Sequence, residues 1–235
     1  MATERTDVYV ISDGSHGNEE RSIEEEAIVR KRQFDAAMDY VKPRRHVWLG
    51  YEDTKLAEHY EAASEIDFTH YTKVFLPWNE SPHPDHRACA NMCCEAIVRQ
   101  RASADCYMYE LNAPFRKPTH FCDLTDTIAE KRKLIDFHED QVRNKEIAIT
   151  LNRFRGAQLL SRPSVIYAES YLKVDAPFRV AAASVADDVY VGPLRSHDKR
   201  SGCAQAFIIW MRRNHGDRIV AVEYQLFPHA GSLLI

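Results

Sequence analysis

The chain has 235 residues, of which 45% are hydrophobic and 28% charged, and carries a net charge of -4. This fits a folded domain with a sizeable core and excludes a disordered, collagen-like or low-complexity chain. With 31 basic against 35 acidic residues the chain is no basic nucleic-acid binder, and no apolar run reaches the ~20 residues that span a bilayer.

In chain order, Val8-Tyr9-Val10-Ile11 predicts a buried strand that runs into Ser12-Asp13-Gly14 and a polar loop through Asn18. A charged helix follows from Ile23 to Tyr40, with Ala27, Phe34, Ala37, Met38 and Val41 as its apolar stripe and Pro43 as its stop. Its acidic start, Glu24-Glu25-Glu26, suits a helix N-terminus. His46 to Gly50 and Lys73 to Pro77 predict two further strands, Asp85 to Arg99 a helix, and Cys106 to Leu111 a fourth strand. A charged helix is expected from Ile128 to Asn144, with a further helix continuing to Gly156, while Val165 to Leu172 is mixed. Beyond Asp175 the pattern predicts a strand near Val189, a helix near Ala204–Arg213 and a strand from Arg218 to Leu226.

Strands alternating with helices predict an α/β fold, a Rossmann-like and mostly parallel sheet flanked by helices, whose ligands bind at the carboxyl ends of the strands. Asp13 and the segment after Pro77 lie at such ends. The sharpest local feature is Ser81-Pro82-His83-Pro84-Asp85-His86, two histidines flanking a carboxylate where a strand becomes a helix. Imidazole ligates zinc, and a carboxylate-held histidine can act as an acid or steady an oxyanion. The same residues also suit a helix start, with Asp85 as its N-cap and Pro84 in the first turn. The six cysteines form no CxxC pair, so reduced thiols and a reducing compartment, the cytoplasm, are expected; no signal peptide is visible in MATERTDVYV.

Several ordered segments resemble the PIG-L/LmbE-type zinc N-deacetylases, which act on N-acetylglucosamine-containing substrates. These are VYVISDG at Val8 to Gly14, RKRQFDAAM at Arg30 to Met38 with Gln33 where the family has Glu, LGYEDTKL at Leu49 to Leu56, and HPDH at His83 to His86. Asp123 to Gln141, with Asp140 in place of Ser, and Arg153 to Tyr171 (RFRG … AESY) continue the resemblance, which covers about residues 8 to 174. It implies His86 as a zinc ligand, His83 as the oxyanion-stabilising histidine and Asp85 as its orienting partner. It also implies Asp13, Arg30 and Asp53 as substrate contacts. Trp78, beside the HPDH loop, is expected either to stack on a sugar ring or to cover the pocket. The expected partner is a small-molecule sugar conjugate, with no nucleic acid and no membrane span; the oligomeric state is not legible.

One departure stands against these agreements. The family opens with a strand ending in His-Pro-Asp-Asp, which supplies two zinc ligands and the general base, and no such motif occurs in the 235 residues. The first family strand is therefore expected to be missing, with residues 1–174 an N-terminally incomplete deacetylase domain and 175–235 an extension packed on it. The expected function is zinc-assisted acetamide hydrolysis, impaired in this chain; the alternative is a catalytically silent sugar-binding or scaffold protein of the same fold. Phe227-Pro228-His229-Ala230, after an apolar strand, echoes the absent opening without its acidic residues.

Overall fold

A computed structural model describes residues 6–111, 114–138, 142–175, 179–180, 190–191 and 219–223. The first strand, β1 (Thr6–Ser12), is buried at every position, as a TDVYVIS segment with helices on both faces must be. Helix α1 (Ile23–Val41) begins at a capping box, in which Ser22 accepts from the Glu25 N–H and the Glu25 side chain returns to the Ser22 N–H. It stops at Lys42, in the left-handed region at φ 53, just before Pro43. Strand β2 (Arg45–Tyr51) pairs parallel to β1 and lies at the sheet edge, where its residues are half-buried or exposed.

Three short 3-10 turns, Leu56–Glu58, Tyr60–Glu65 and Phe68–His70, follow. They bury Leu56, Ala62, Ala63, Ile66 and Phe68 in the core shared with the next helix. Strand β3 (Lys73–Pro77) leads to α2 (Pro84–Arg99), and β4 (Asp105–Tyr109) pairs parallel to β3. Next come β5 (His120–Asp123), α3 (Ile128–Asp136), α4 (Val142–Gln158) and β6 (Ala168–Asp175). The last elements are β7 (Arg179–Val180), β8 (Tyr190–Val191) and β9 (Ile219–Glu223).

Among the described residues the sheet order is β2-β1-β9-β3-β4-β6-β5-β8, with β7 beside β6. The pairs β1·β2, β1·β9, β3·β9, β3·β4 and β5·β8 are parallel, whereas β6 runs antiparallel to β4, β5 and β7. The expected mostly parallel α/β sheet is thus the fold, and its four leading strands fall where the sequence predicts them. The period of two along each strand sorts the core. Val8 and Val10 face α1 with Phe34, Ala37 and Met38, while Tyr9, Ile11, Val74 and Leu76 face α2 with Cys89, Cys93 and Met92.

One boundary is corrected, and two expectations take definite form. The helix expected from Ile128 to Asn144 ends at Asp136 as α3, and the further helix expected toward Gly156 is α4, Val142–Gln158. The mixed segment Val165 to Leu172 leads into a strand, β6, and the four-residue β5 was too short to show a period. The strand expected from Arg218 to Leu226 is present as β9, and it lies between β1 and β3 in the middle of the sheet. The predicted helix at Ala204–Arg213 lies outside the described residues.

Five cysteines, Cys89, Cys93, Cys94, Cys106 and Cys122, are free and buried. Burial pushes the thiols of Cys93 and Cys94 up, and that of Cys106 to about 12 from an ordinary 9.0. A thiol held neutral in the fold but ionised in the unfolded chain favours unfolding as pH rises. Stability is therefore full below the ordinary thiol value and falls above it, by about 1.4 kcal/mol per pH unit for each such thiol until its folded value is reached. Urea denaturation from pH 8 to 11 checks the slope. In a Cys203→Ser variant, a thiol reagent at pH 8 should label none of the five until denaturant is added.

Candidate functional site

The carboxyl ends of β1, β2 and β3 carry one continuous polar network. Asp13, just past β1, accepts from the N–H groups of Ser15 and Asp53, both at 3.0 Å. Its own N–H donates to the Tyr51 carbonyl at 2.8 Å, which ties the end of β1 to the end of β2. Asp53 accepts from the N–H of His16 at 3.1 Å and of Thr54 at 2.9 Å. Asp85 reaches the same loop from α2, accepting from the Thr54 N–H at 2.7 Å and the Leu56 N–H at 3.3 Å. Thr54 sits at φ 70, a left-handed conformation held by these two carboxylates.

His83 caps α2: its Nδ1 accepts from the Asp85 N–H at 3.3 Å. The N-cap expected at Asp85 is therefore His83, because Pro84 takes the first helical position and moves Asp85 to the second. An acceptor role at Nδ1 leaves the ring proton of neutral His83 on Nε2. The expected Asp85–His83 orienting contact is this backbone bond, since the Asp85 carboxylate is used on the Thr54 loop. Burial raises Asp85 to about 6; the Thr54 N–H offsets part of this and the neighbouring Asp53 adds to it.

His86 is fully buried, with Nδ1 2.7 Å from Ser81 Oγ and its ring 4.8 Å from that of His83. Burial, with His83 and Arg87 adding to it, holds His86 well below the usual imidazole range, so the ring is neutral. Ser81 joins the network through its side chain. It stands five positions ahead of His86 in the Ser-Pro-His-Pro-Asp-His run, and its N–H donates to the Trp78 carbonyl at 3.1 Å. Trp78 is half-buried and meets the Phe115 ring edge-on at 5.3 Å.

Arg30 approaches from α1. Its side chain is 1% exposed and pairs with the equally buried Glu26 at 2.6 Å, with Gln33 as a further acceptor at 3.4 Å. The acidic run expected only to start a helix thus also supplies this buried partner. A Cβ at Gly17 would come within 2.5 Å of the Arg30 guanidinium, so the polar loop lies directly on it. Arg30→Ala removes the buried partner of Glu26 but leaves Arg21 paired to it at 2.7 Å, so it should cost about 2 kcal/mol in urea denaturation, the worth of a hydrogen bond between charged groups.

A neutral, buried imidazole is a suitable form for a zinc ligand. The remaining donors do not complete a site: among the described residues no group of three His, Cys, Asp or Glu side chains is placed to hold a metal ion. Asp13, Asp53 and Asp85 are instead used on backbone N–H groups.

The mostly parallel sheet of this chain is shared with several solved structures of different activities. Residues 2–97, which contain every member of the network, match the PIG-L family (PIG-L: GlcNAc-PI de-N-acetylase). The N,N'-diacetylchitobiose deacetylase from Pyrococcus horikoshii is similar in structure, with a TM-score of 0.57 and 21% identity over 72% of this chain and 71% of that one. GalB, the 4-carboxy-2-hydroxymuconate hydratase from Pseudomonas putida, gives a TM-score of 0.57 and 17% identity over 72% of this chain and 83% of its own. A conserved protein from Thermus thermophilus gives a TM-score of 0.53 and 17% identity over 78% of this chain and 99% of its own. No curated protein matches the chain in sequence. A hydratase and a deacetylase share this fold, so the fold alone does not choose the reaction.

Proposed function

We propose that the protein binds an N-acetylglucosamine-type sugar conjugate at this strand edge, and that acetamide hydrolysis there is impaired. The observation that carries the reading is the unbroken network from Asp13 through Asp53 and Asp85 to His83 and His86, all within the PIG-L segment. The Nε2–H of neutral His83 is the kind of donor that an acetamide carbonyl needs. Asp13 and Asp53 bring carboxylates, a chemistry that suits sugar hydroxyls, to the strand ends, and Trp78 suits the apolar face of a sugar ring.

The resemblance to the PIG-L/LmbE-type deacetylases implies zinc, with His86 as its one carried-over ligand. The described donors do not form a metal site around it. A second reading, a working zinc deacetylase, is favoured by β9, whose carboxyl end lies on the same sheet edge and whose sequence continues to His229. We place the protein in the cytoplasm, which suits five free buried thiols; among the described residues no helix is long and apolar enough to cross a membrane.

Calorimetry with N-acetylglucosamine, metal analysis and an acetate-release assay test this together. Saturable sugar binding without stoichiometric zinc or turnover is the expected result. His83→Ala should weaken that binding about tenfold, the worth of one well-placed hydrogen bond. Stoichiometric zinc that is lost in His86→Ala, together with steady turnover, would instead establish the second reading, and absence of any sugar binding would overturn both.

A further inference from the structure

The RFRG and AESY segments are not used by the network above, yet they meet in one buried cluster. Arg155 in α4 pairs with Glu110, the residue that follows β4; their side chains are 2% and 4% exposed. Arg155 Nε donates to Glu110 Oε2 at 3.0 Å, Nη2 also donates to Glu110, and Nη1 donates to Gln158 at 2.6 Å. Ser170 Oγ, from the AESY segment in β6, donates to Glu110 Oε2 at 2.5 Å.

The two partners of this ion pair also hold a third residue between them. The Phe115 N–H donates to Glu110 Oε1 at 2.5 Å, and its carbonyl accepts from Arg155 Nη2 at 2.7 Å. With both backbone polar atoms fixed, the Phe115 ring stands edge-on to Trp78, at 5.3 Å and 81°. The Trp78 carbonyl in turn accepts from the Ser81 N–H, and Ser81 holds His86.

We infer that Arg155 and Glu110 are positioning residues for the candidate site: they clamp Phe115, and Phe115 sets the plane of Trp78 as the wall that receives a sugar ring. The inference rests on the sugar-binding reading for its ligand, but not for its geometry. A buried ion pair is costly to desolvate and is weak evidence for a purely stabilising role. This one is fully satisfied, and two of its hydrogen bonds go to a residue that itself touches the site.

The test uses the full chain in a Trp48→Phe/Trp210→Phe background, where Trp78 is the only tryptophan. Acrylamide quenching of Trp78 and calorimetric binding of N-acetylglucosamine are measured for Arg155→Lys, Glu110→Gln and Phe115→Leu. Each variant should make Trp78 more accessible to acrylamide and weaken sugar binding about fivefold, the worth of one aromatic pair. Phe115→Leu removes the ring while keeping the ion pair, so it remains informative if the charge variants do not fold. Unchanged Trp78 quenching in folded Phe115→Leu would overturn the inference. If the parent binds no sugar, the functional reading fails, while the quenching comparison still decides whether the clamp orients Trp78.

Discussion

A chain ended after residue 218 should not fold. Strand β9 pairs with β1 from Thr6↔Ile219 to Val10↔Glu223 and with β3 from Lys73↔Ile219 to Phe75↔Ala221, both in parallel. Without it, β1 and β3, every residue of which is buried, face each other across an empty strand position. Neighbouring strands lie about 4.8 Å apart, so the two half-sheets would have to shift by a full strand spacing to meet. Losing both ladders should cost on the order of a whole domain's stability, about 5–15 kcal/mol. Circular dichroism and urea denaturation check this against a chain ended after residue 226. A cooperative melt for the shorter chain within a few degrees of the longer one would contradict the central place of β9.

Gly156→Ala should be the most damaging single methyl in the described fold. A Cβ at Gly156 would overlap the Ile166 carbonyl oxygen and lie 2.5 Å from its carbon and 2.8 Å from the Tyr167 nitrogen. All three are backbone atoms, so no side-chain rotation relieves the contact. Relief requires α4 to move off the segment that leads into β6, where Asn152 Nδ2 donates to the Ala168 carbonyl at 3.1 Å and Arg155 makes its clamp. Overpacking of this kind costs about 3 kcal/mol, a large share of a domain's stability. Thermal denaturation should show the loss, and Trp78 quenching should rise with it because Arg155 is the adjacent residue. Ala at Gly17 meets the end of a side chain instead and should cost less.

Much of the fold was legible because its signals are local. Buried strands such as Val8–Ile11 and Lys73–Pro77 announce themselves as short apolar runs, and α1 carries its capping box and its Pro43 stop in plain sequence. The position of β9 was not legible, because parallel pairing joins residues more than two hundred positions apart and leaves no mark in either segment. At the site, the HPDH run and Asp13 could be found from residue type and strand-end position. What each carboxylate holds could not, since Asp85 and Asp53 meet at the Thr54 N–H only after three elements have converged. Arg30 shows the same limit: its spacing says helix, but only packing reveals the ion pair with Glu26.

The central place of β9 also governs how the chain must be made. All of α1 to α4 and β1 to β8 leave the ribosome before β9 does, and at about 5–20 residues per second the gap between β1 and β9 is on the order of 10 s or more. Through that interval β1 and β3 present unpaired inner edges that any extended segment can occupy. Closing a loop of this length is slow to nucleate, so the final step is the late insertion of one strand between two waiting ones. A nascent chain of this design is a natural client for a holding chaperone, and its soluble yield should respond to chaperone supply more steeply than to any substitution at the strand-end histidines.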